Sequence, residues 1–177
     1  MNLNFQALLP DHFDDTSRVW IYQSSRLFSL TESLQIEGLF ENFVQSWQSH
    51  GLPVKGYANL FFGQFIVLIA DESAFGVSGC STDSSVRFIK DIEQLFQVSL
   101  FDRLAFAFLV KEKVQLIPMP QMGYALENNF IDASTIYFNN TVLTLGQLRN
   151  EWLIPVQKSW LSNDKRYSKL INSRKVV

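Results

Sequence analysis

Apolar positions along the first half of the chain follow two spacings, one typical of strands and one typical of helices. Residues 18–23, RVWIYQ, are rich in β-branched and aromatic side chains and predict a strand. Apolar residues then recur at helical spacing, which predicts a helix over about residues 31–49. Thr31 is the expected N-cap of this helix, and Gly51 and Pro53 are expected to end it.

A hairpin and a second helix are predicted next. Residues 54–71 contain two strand-like halves around Gly63 and Gln64, which suit a tight turn. The second half is apolar throughout residues 65–70, so we expect a central strand that is covered on both faces. Beyond it, an amphipathic helix is expected, with a polar residue of the preceding loop as its cap. The candidate caps are Ser81, Thr82 and Asp83, and the expected buried stripe is Val86, Ile89, Ile92 and Phe96.

Residues 104–110 and 114–119, joined by a charged turn, predict a further hairpin. The order up to Val110 is then strand, helix, strand, strand, helix, strand, which is the split βαβ pattern of ferredoxin-like folds. We therefore predict an α+β fold, specifically a ferredoxin-like sandwich whose antiparallel sheet carries two helices on one face. A C-terminal extension of helices and a strand follows this sandwich.

The chain contains no Pro-rich or Ser-rich linker, so residues 1–161 are predicted to form a single domain. Its core is expected at 17–119. Residues 120–161 form the packed extension, with a short helix, a short strand and a second helix that Pro155 closes. Residues 162–177 carry five basic residues against one acidic residue and are predicted to be a flexible basic tail.

Composition narrows the possible partners and the cellular setting. The net charge is −2, and because the tail carries +4, the rest of the chain carries −6 and lacks the basic surface of a nucleic-acid-binding protein. A single cysteine forms no internal disulfide and no cysteine-based metal site, which favours the reducing cytoplasm. The apolar runs are too short to cross a bilayer, and the N-terminus does not resemble a signal peptide. No cofactor is predicted.

Aromatic residues are unusually abundant, with 16 phenylalanines and 4 tryptophans in 177 residues. We expect that some of them cannot be accommodated in one core. Exposed aromatic surface favours self-association, so a homodimer is predicted.

Several stretches resemble a family of short bacterial proteins over about residues 17–161, namely RVWIYQSSRLF, FIVLIADESAFGVSGCSTDSSVRFIKDIE, FNNTVLT and VQKSWL. Many members of this family are labelled ABC transporter ATPases. A P-loop needs the pattern GxxxxGK[ST] to hold phosphates, and the chain does not contain it. Gly76 and Gly79 are followed by Cys80, with no lysine between them and Lys90. The ATPase label of the family is therefore not evidence for the function of this chain.

The polar loop DESAFGVSGCSTDSS holds the only cysteine, Cys80, close to the expected start of a helix. The positive end of a helix dipole favours a thiolate, which makes Cys80 a candidate nucleophile. Asp71, Glu72 and Asp83 act against this by raising the pKa of a nearby thiol through charge repulsion. A buried structural cysteine is the alternative interpretation.

The same loop supports two other interpretations. Ser78, Gly79 and Ser81 could bind an anion through hydroxyl and backbone N–H groups, although simple helix capping uses the same residues. Asp71 and Glu72 are further candidate ligand-binding residues, but together with Asp83 they lack the spacing of a calcium loop, so no metal site is predicted.

Arg18 and Arg26 flank the first strand and are candidates for binding a carboxylate or a phosphate. Surface solvation, or an ion pair with Glu72 or Asp83, is the alternative for both arginines. The leading hypothesis is a binding protein for a protein partner or a small ligand, acting as a homodimer. The alternative is a small enzyme that uses residues 78–83, with Cys80 as the nucleophile or Asp83 as the acid or base.

Overall fold

The computed structural model describes the backbone of residues 2–72 and 79–172, and the side chains of the same residues except 79–81. The fold is α+β, as predicted, with antiparallel sheets and five α-helices within this part of the chain. The strands are β1 (Arg18–Gln23), β2 (Gln48–Ser49), β3 (Leu52–Pro53), β4 (Lys55–Phe61), β5 (Phe65–Asp71), β6 (Ala105–Val110), β7 (Lys113–Pro118), β8 (Ile136–Phe138) and β9 (Leu153–Pro155). The α-helices are α1 (Leu30–Ser46), α2 (Gly79–Phe96), α3 (Met122–Glu127), α4 (Leu145–Glu151) and α5 (Ser168–Asn172).

The described residues divide into two compact units. The first unit contains Asn4–Asp102 and Asn140–Arg149. The second contains residues 2–3, Arg103–Asn139 and the described residues from Asn150 onward. Each unit has its own sheet and its own hydrophobic core.

The first unit is built on a three-stranded antiparallel sheet in the order β1-β5-β4. The helices α1 and α2 both pack on the face that carries Tyr22 and Leu68, so the predicted arrangement of two helices on one face is present here. The N-terminal segment covers the opposite face, where the rings of Phe5 and Phe61 lie 6.3 Å apart. Because both faces are covered, β5 is buried at every position, as its continuous apolar run predicts.

The prediction that residues 104–110 add the fourth strand to this sheet is wrong. That stretch forms β6, which pairs with β7 and β8 in a separate sheet. The outer edge of β1 is instead occupied by a segment from much later in the chain. The N–H of Val19 donates to the carbonyl of Leu143, and the N–H of Leu145 donates to the carbonyl of Ser17, both at 2.9 Å.

The second unit holds a four-stranded antiparallel sheet in the order β7-β6-β8-β9. Two predictions for this region need correction. The helix expected to run to Pro155 ends at Glu151, and the apolar residues after it form β9. Part of the predicted flexible tail is packed, because Tyr167 and Ile171 of residues 162–172 are buried in the core of this unit.

The ends of the two long helices differ from the predicted ones in an informative way. Ser29, not Thr31, caps α1, and it forms a capping box with Glu32. The helix α2 begins at Gly79, so the predicted caps Ser81, Thr82 and Asp83 all lie inside it and do not cap it. Three residues of the predicted buried stripe of α2 are buried, namely Ile89, Ile92 and Phe96, and Val86 is half-buried. Residues 73–78 of the predicted loop before the helix lie outside the described residues.

The expectation that some aromatic side chains cannot be accommodated in one core agrees with the described residues, because the buried aromatic side chains are divided between two cores. Of the described phenylalanines and tryptophans, only Phe130 and Trp160 are exposed. The others are accommodated because the rings pack against one another, as in the stacked pair of Phe43 and Phe88 at 4.2 Å. The exposed apolar side chains are mostly leucines, for example Leu30 and Leu34.

Candidate functional site

The two predicted acidic residues at the end of β5 are both neutralised by basic side chains. Asp71 is almost fully buried, and its carboxylate accepts a hydrogen bond of 2.5 Å from the Lys55 ammonium. That ammonium also donates to the carbonyl of His12 at 2.9 Å and lies over the ring of Phe13. A buried carboxylate needs such a partner, so Asp71 and Lys55 form a structural pair that ties β4 and β5 to the N-terminal segment.

Glu72 pairs with Arg18 at 3.6 Å, and the Arg18 guanidinium lies 5.7 Å from the ring centre of Trp20. Arg18 was predicted either to bind a ligand or to form an ion pair with Glu72. The structure contains this ion pair. Within the described residues, no three acidic, histidine or cysteine side chains come together in a way that could hold a metal ion.

Arg26 lies elsewhere, at the start of α1, and its partner is neither Glu72 nor Asp83. Its guanidinium forms two hydrogen bonds of 2.9 Å with the carboxylate of Glu32 and a third of 2.7 Å with the carbonyl of Phe96. The two bonds to the Glu32 carboxylate lower the pKa of Glu32 to about 2, and the Ser29 N–H contributes to the same shift. Arg26 therefore joins α1 to the end of α2, and its guanidinium is already hydrogen-bonded to groups of the protein.

The remaining predicted site residues surround the start of α2. Gly79, Cys80 and Ser81 lie in its first turn, and Asp83 is exposed one turn later. Ser78 falls outside the described residues. The backbone position of Cys80 agrees with the predicted strand-to-helix transition, and the anion-binding, nucleophile and acid or base roles of these residues stay predictions.

A shallow cleft between α1 and α2 lies close to these residues along α2. Its volume is about 380 Å³, and it has an aromatic floor and a polar rim. Phe43, Trp47 and Phe88 form the floor, and the rim includes Ser84, Arg87 and Asp91. The floor belongs to the hydrophobic core of the unit, so the cleft follows from the packing of the two helices.

A second groove, of about 400 Å³, runs between α1 and β4. The space exists because Gly56 has no side chain and the side chain of Ala58, on the same face of the strand, is a single methyl group. The ring of Trp47 comes so close to Gly56 that a Cβ there would lie 2.7 Å from it. On the helix side, the groove is lined by Glu37, Phe40, Glu41 and Val44.

The backbone along this groove is a sheet edge. The strand β4 pairs with β5 on one side and with no other strand in the part of the chain that is described. The N–H of Leu60 points away from β5, because it donates to the side-chain carbonyl of Asn59 at 2.7 Å. Backbone groups alternate in direction along a strand, so the N–H and C=O groups of Gly56 and Ala58 point to the same outer side.

The side chain of Asn59 limits this open edge. Its amide group also donates to the Tyr57 hydroxyl at 2.7 Å, and that hydroxyl donates to the carbonyl of Leu8. Burial of the Tyr57 ring raises the pKa of its hydroxyl, which therefore remains a donor at neutral pH. The network blocks the edge at Leu60 and leaves it open at Gly56 and Ala58.

The sequence pattern alone does not mark this edge as a candidate site. Residues 54–71 were correctly assigned to a hairpin, but the sequence did not show which of its strands lies at the edge of the sheet. The pattern that could have pointed to it is the alternation of the small residues Gly56 and Ala58 with larger ones, opposite Glu37 and Glu41 at helical spacing.

Comparison of the chain with protein-family models, with curated proteins and with solved structures finds no match. Within the described residues, no helix is both long enough and apolar enough to cross a membrane.

Proposed function

We propose that this chain is a binding protein that takes up an extended segment of a protein partner along the outer edge of β4. The observation that carries the proposal is the open edge at Gly56 and Ala58, which adjoins a groove of about 400 Å³. An added strand gains main-chain hydrogen bonds from such an edge and places alternate side chains in an adjoining groove. The proposal needs no reactive group, and it is independent of the predicted roles of Cys80 and Asp83.

The short open stretch predicts modest affinity. Two residues offer their N–H and C=O groups, and the Asn59 side chain ends the stretch at Leu60. A typical hydrogen bond contributes about 0.5–1.5 kcal/mol net, so the backbone alone does not give tight binding. Side-chain contacts in the groove must supply the rest, and a transient complex is the expected outcome.

Ala58→Pro tests the proposal without removing any hydrogen bond between β4 and β5. The N–H of Ala58 points outward, so proline removes only the donor that an added strand would use, at an edge position where proline is tolerated. Peptides selected from a random display library on the full chain are expected to bind the unmodified protein and to lose at least tenfold in affinity for this variant. Hydrogen exchange is expected to show new protection of the Gly56 and Ala58 amides in the complex.

Ala58→Met provides a second variant, because it keeps the backbone donor and fills the groove. Thermal unfolding of both variants controls for misfolding. The proposal is overturned if selected peptides bind the unmodified chain and both variants equally, or if protection appears only outside β4. Sedimentation of the chain and of Ala58→Pro, compared at the same concentration, shows whether a second copy, as in the predicted homodimer, occupies the same edge.

The topology of the first unit forms part of the proposal. We infer a relation to ferredoxin-like sandwiches, supported by three antiparallel strands in the order β1-β5-β4 with α1 and α2 on one face. Residues 143–145 lie where such a sandwich has its fourth strand. In that pattern β4 corresponds to the second strand, so the proposed binding edge is the outer edge of this second strand.

A further inference from the structure

The wall of the groove formed by α1 carries two acidic side chains that face the open edge. Glu37 and Glu41 are exposed, and neither carboxylate has a hydrogen-bond or ion-pair partner within the described residues. The basic residue of β4, Lys55, lies on the opposite face of the sheet, where it pairs with Asp71. The groove therefore presents negative charge that no basic side chain lining it offsets.

The spacing of the two carboxylates matches that of alternate residues in a strand. Residues four apart in an α-helix are separated by about 6 Å along the axis. Residues two apart in a strand are separated by about 6.6–6.8 Å and point to the same face. Residues 37–44 of α1 and residues 56–59 of β4 line the same groove and span similar lengths, so the helix runs alongside the strand.

We infer that the segment bound at β4 carries basic side chains at two alternate positions, one for Glu37 and one for Glu41, an inference that rests on the proposed function. The two basic residues point to the helix side of the added strand, and the residue between them points to the opposite face. Two adjacent basic residues do not satisfy both carboxylates, since successive side chains in a strand point to opposite faces.

Three fluorescein-labelled peptides of eight residues test the inference by anisotropy. The first, Ser-Thr-Val-Lys-Val-Lys-Thr-Ser, has alternate lysines. The second, Ser-Thr-Val-Val-Lys-Lys-Thr-Ser, has the same composition with adjacent lysines, and the third replaces both lysines of the first by glutamate. We expect the first peptide to bind about five- to tenfold more tightly than the second, since each partly exposed ion pair contributes modestly. The third is expected to bind most weakly.

The variant Glu37→Gln/Glu41→Gln is expected to bind the first two peptides with equal affinity. The matched control is Asp11→Asn/Glu151→Gln, which removes two exposed carboxylates that do not line the groove and is expected to keep the preference. The preference is also expected to shrink as salt is raised from about 50 mM to 500 mM, because partly exposed charges are screened.

The outcomes separate the inference from the function on which it rests. Equal affinity for all three peptides, with binding lost in Ala58→Pro, overturns the basic-partner inference and leaves edge binding intact. A preference that survives in Glu37→Gln/Glu41→Gln also overturns the inference. Absence of binding by the first peptide likewise overturns the inference, whereas binding that Ala58→Pro does not weaken overturns the proposed function itself.

Discussion

At the scale of single residues, two basic side chains of the first unit connect segments that are distant along the chain. Lys55 joins a buried carboxylate of β5 to the N-terminal segment, and Arg26 joins the start of α1 to the end of α2. Such partners are not visible in a sequence. Arg26 and Glu32 are close along the chain, but Arg26 and Phe96 are brought together only by the packed fold.

The pair of Arg26 and Glu32 predicts a specific pH dependence. The pKa of Glu32 is lowered from 4.5 to about 2, first by Arg26 and then by the Ser29 N–H. A lowered carboxyl pKa stabilises the fold above the ordinary pKa, and this contribution is lost as the pH falls from about 4.5 toward 2. In Arg26→Gln, the pKa of Glu32 is expected to rise toward its ordinary value.

Carbon-detected NMR titration of the Glu32 carboxyl group measures this directly. Arg18→Gln is the control, because Arg18 pairs with Glu72 and not with Glu32. A Glu32 pKa that stays near 2 in Arg26→Gln would show that the backbone N–H of Ser29 causes the shift on its own.

At the scale of elements, two glycines with opposite surroundings provide a matched pair. Gly38 lies within α1, and a Cβ there would have no neighbour within 4 Å. A Cβ on Gly56 of β4 would lie 2.7 Å from the ring of Trp47, which is fully buried and cannot move aside easily. The same substitution is therefore expected to have opposite effects on the two elements.

Gly38→Ala is expected to raise the free energy of unfolding by about 0.5–1 kcal/mol, because alanine has a higher helix propensity than glycine and loses less backbone entropy on folding. Gly56→Ala is expected to lower it by about 1–3 kcal/mol through overpacking. Chemical denaturation of both variants checks these values. An unchanged stability of Gly56→Ala would mean that the contact between Trp47 and β4 is loose.

Most elements of the first unit were predictable because each has a local pattern. The strand RVWIYQ, the hairpin around Gly63 and the stripe of Ile89, Ile92 and Phe96 were all confirmed. The sheet to which β6 belongs was not predictable from its local pattern, since its apolar run suits a strand in either sheet. The partners of β6, namely β7 and β8, are chosen by tertiary packing.

The candidate site was harder to predict than the fold for a related reason. A binding edge is defined by which strand is left unpaired, and the sequence of β4 reads as an ordinary hairpin strand. The sequence drew attention to Cys80 and its neighbours, which are conspicuous by residue type. Gly56 and Ala58 are recognised as candidate binding residues only once β4 is known to lie at the edge of the sheet.

At the scale of the whole molecule, the charge beside β4 is expected to affect self-association as well as the proposed choice of partner. A symmetric dimer through this edge would continue the sheet with antiparallel strands and keep both α1 helices on the same face. Glu37 and Glu41 of the two copies would then approach each other, and their like charges would oppose pairing. The homodimer suggested by the sequence stays a prediction, and this edge is a poor interface for it.

Removal of these charges is expected to permit pairing of identical chains. In sedimentation equilibrium at neutral pH and low salt, Glu37→Gln/Glu41→Gln is expected to associate more strongly than the unmodified chain. The addition of Ala58→Pro to that variant is expected to reverse the gain. If the three proteins associate to the same extent, any dimer forms through another surface, such as the exposed leucines Leu30 and Leu34.

The opposite edge of the same sheet has a consequence for the order in which the protein can be completed. The partner of β1 comes from residues 143–145, whereas β4 and β5 end by residue 71. During synthesis on the ribosome, the β1 edge of the sheet is therefore bare until some seventy further residues have emerged. The first unit can therefore be completed only after residues 143–145 have been synthesised, and until then the bare edge of β1 is a site at which other exposed strands could pair.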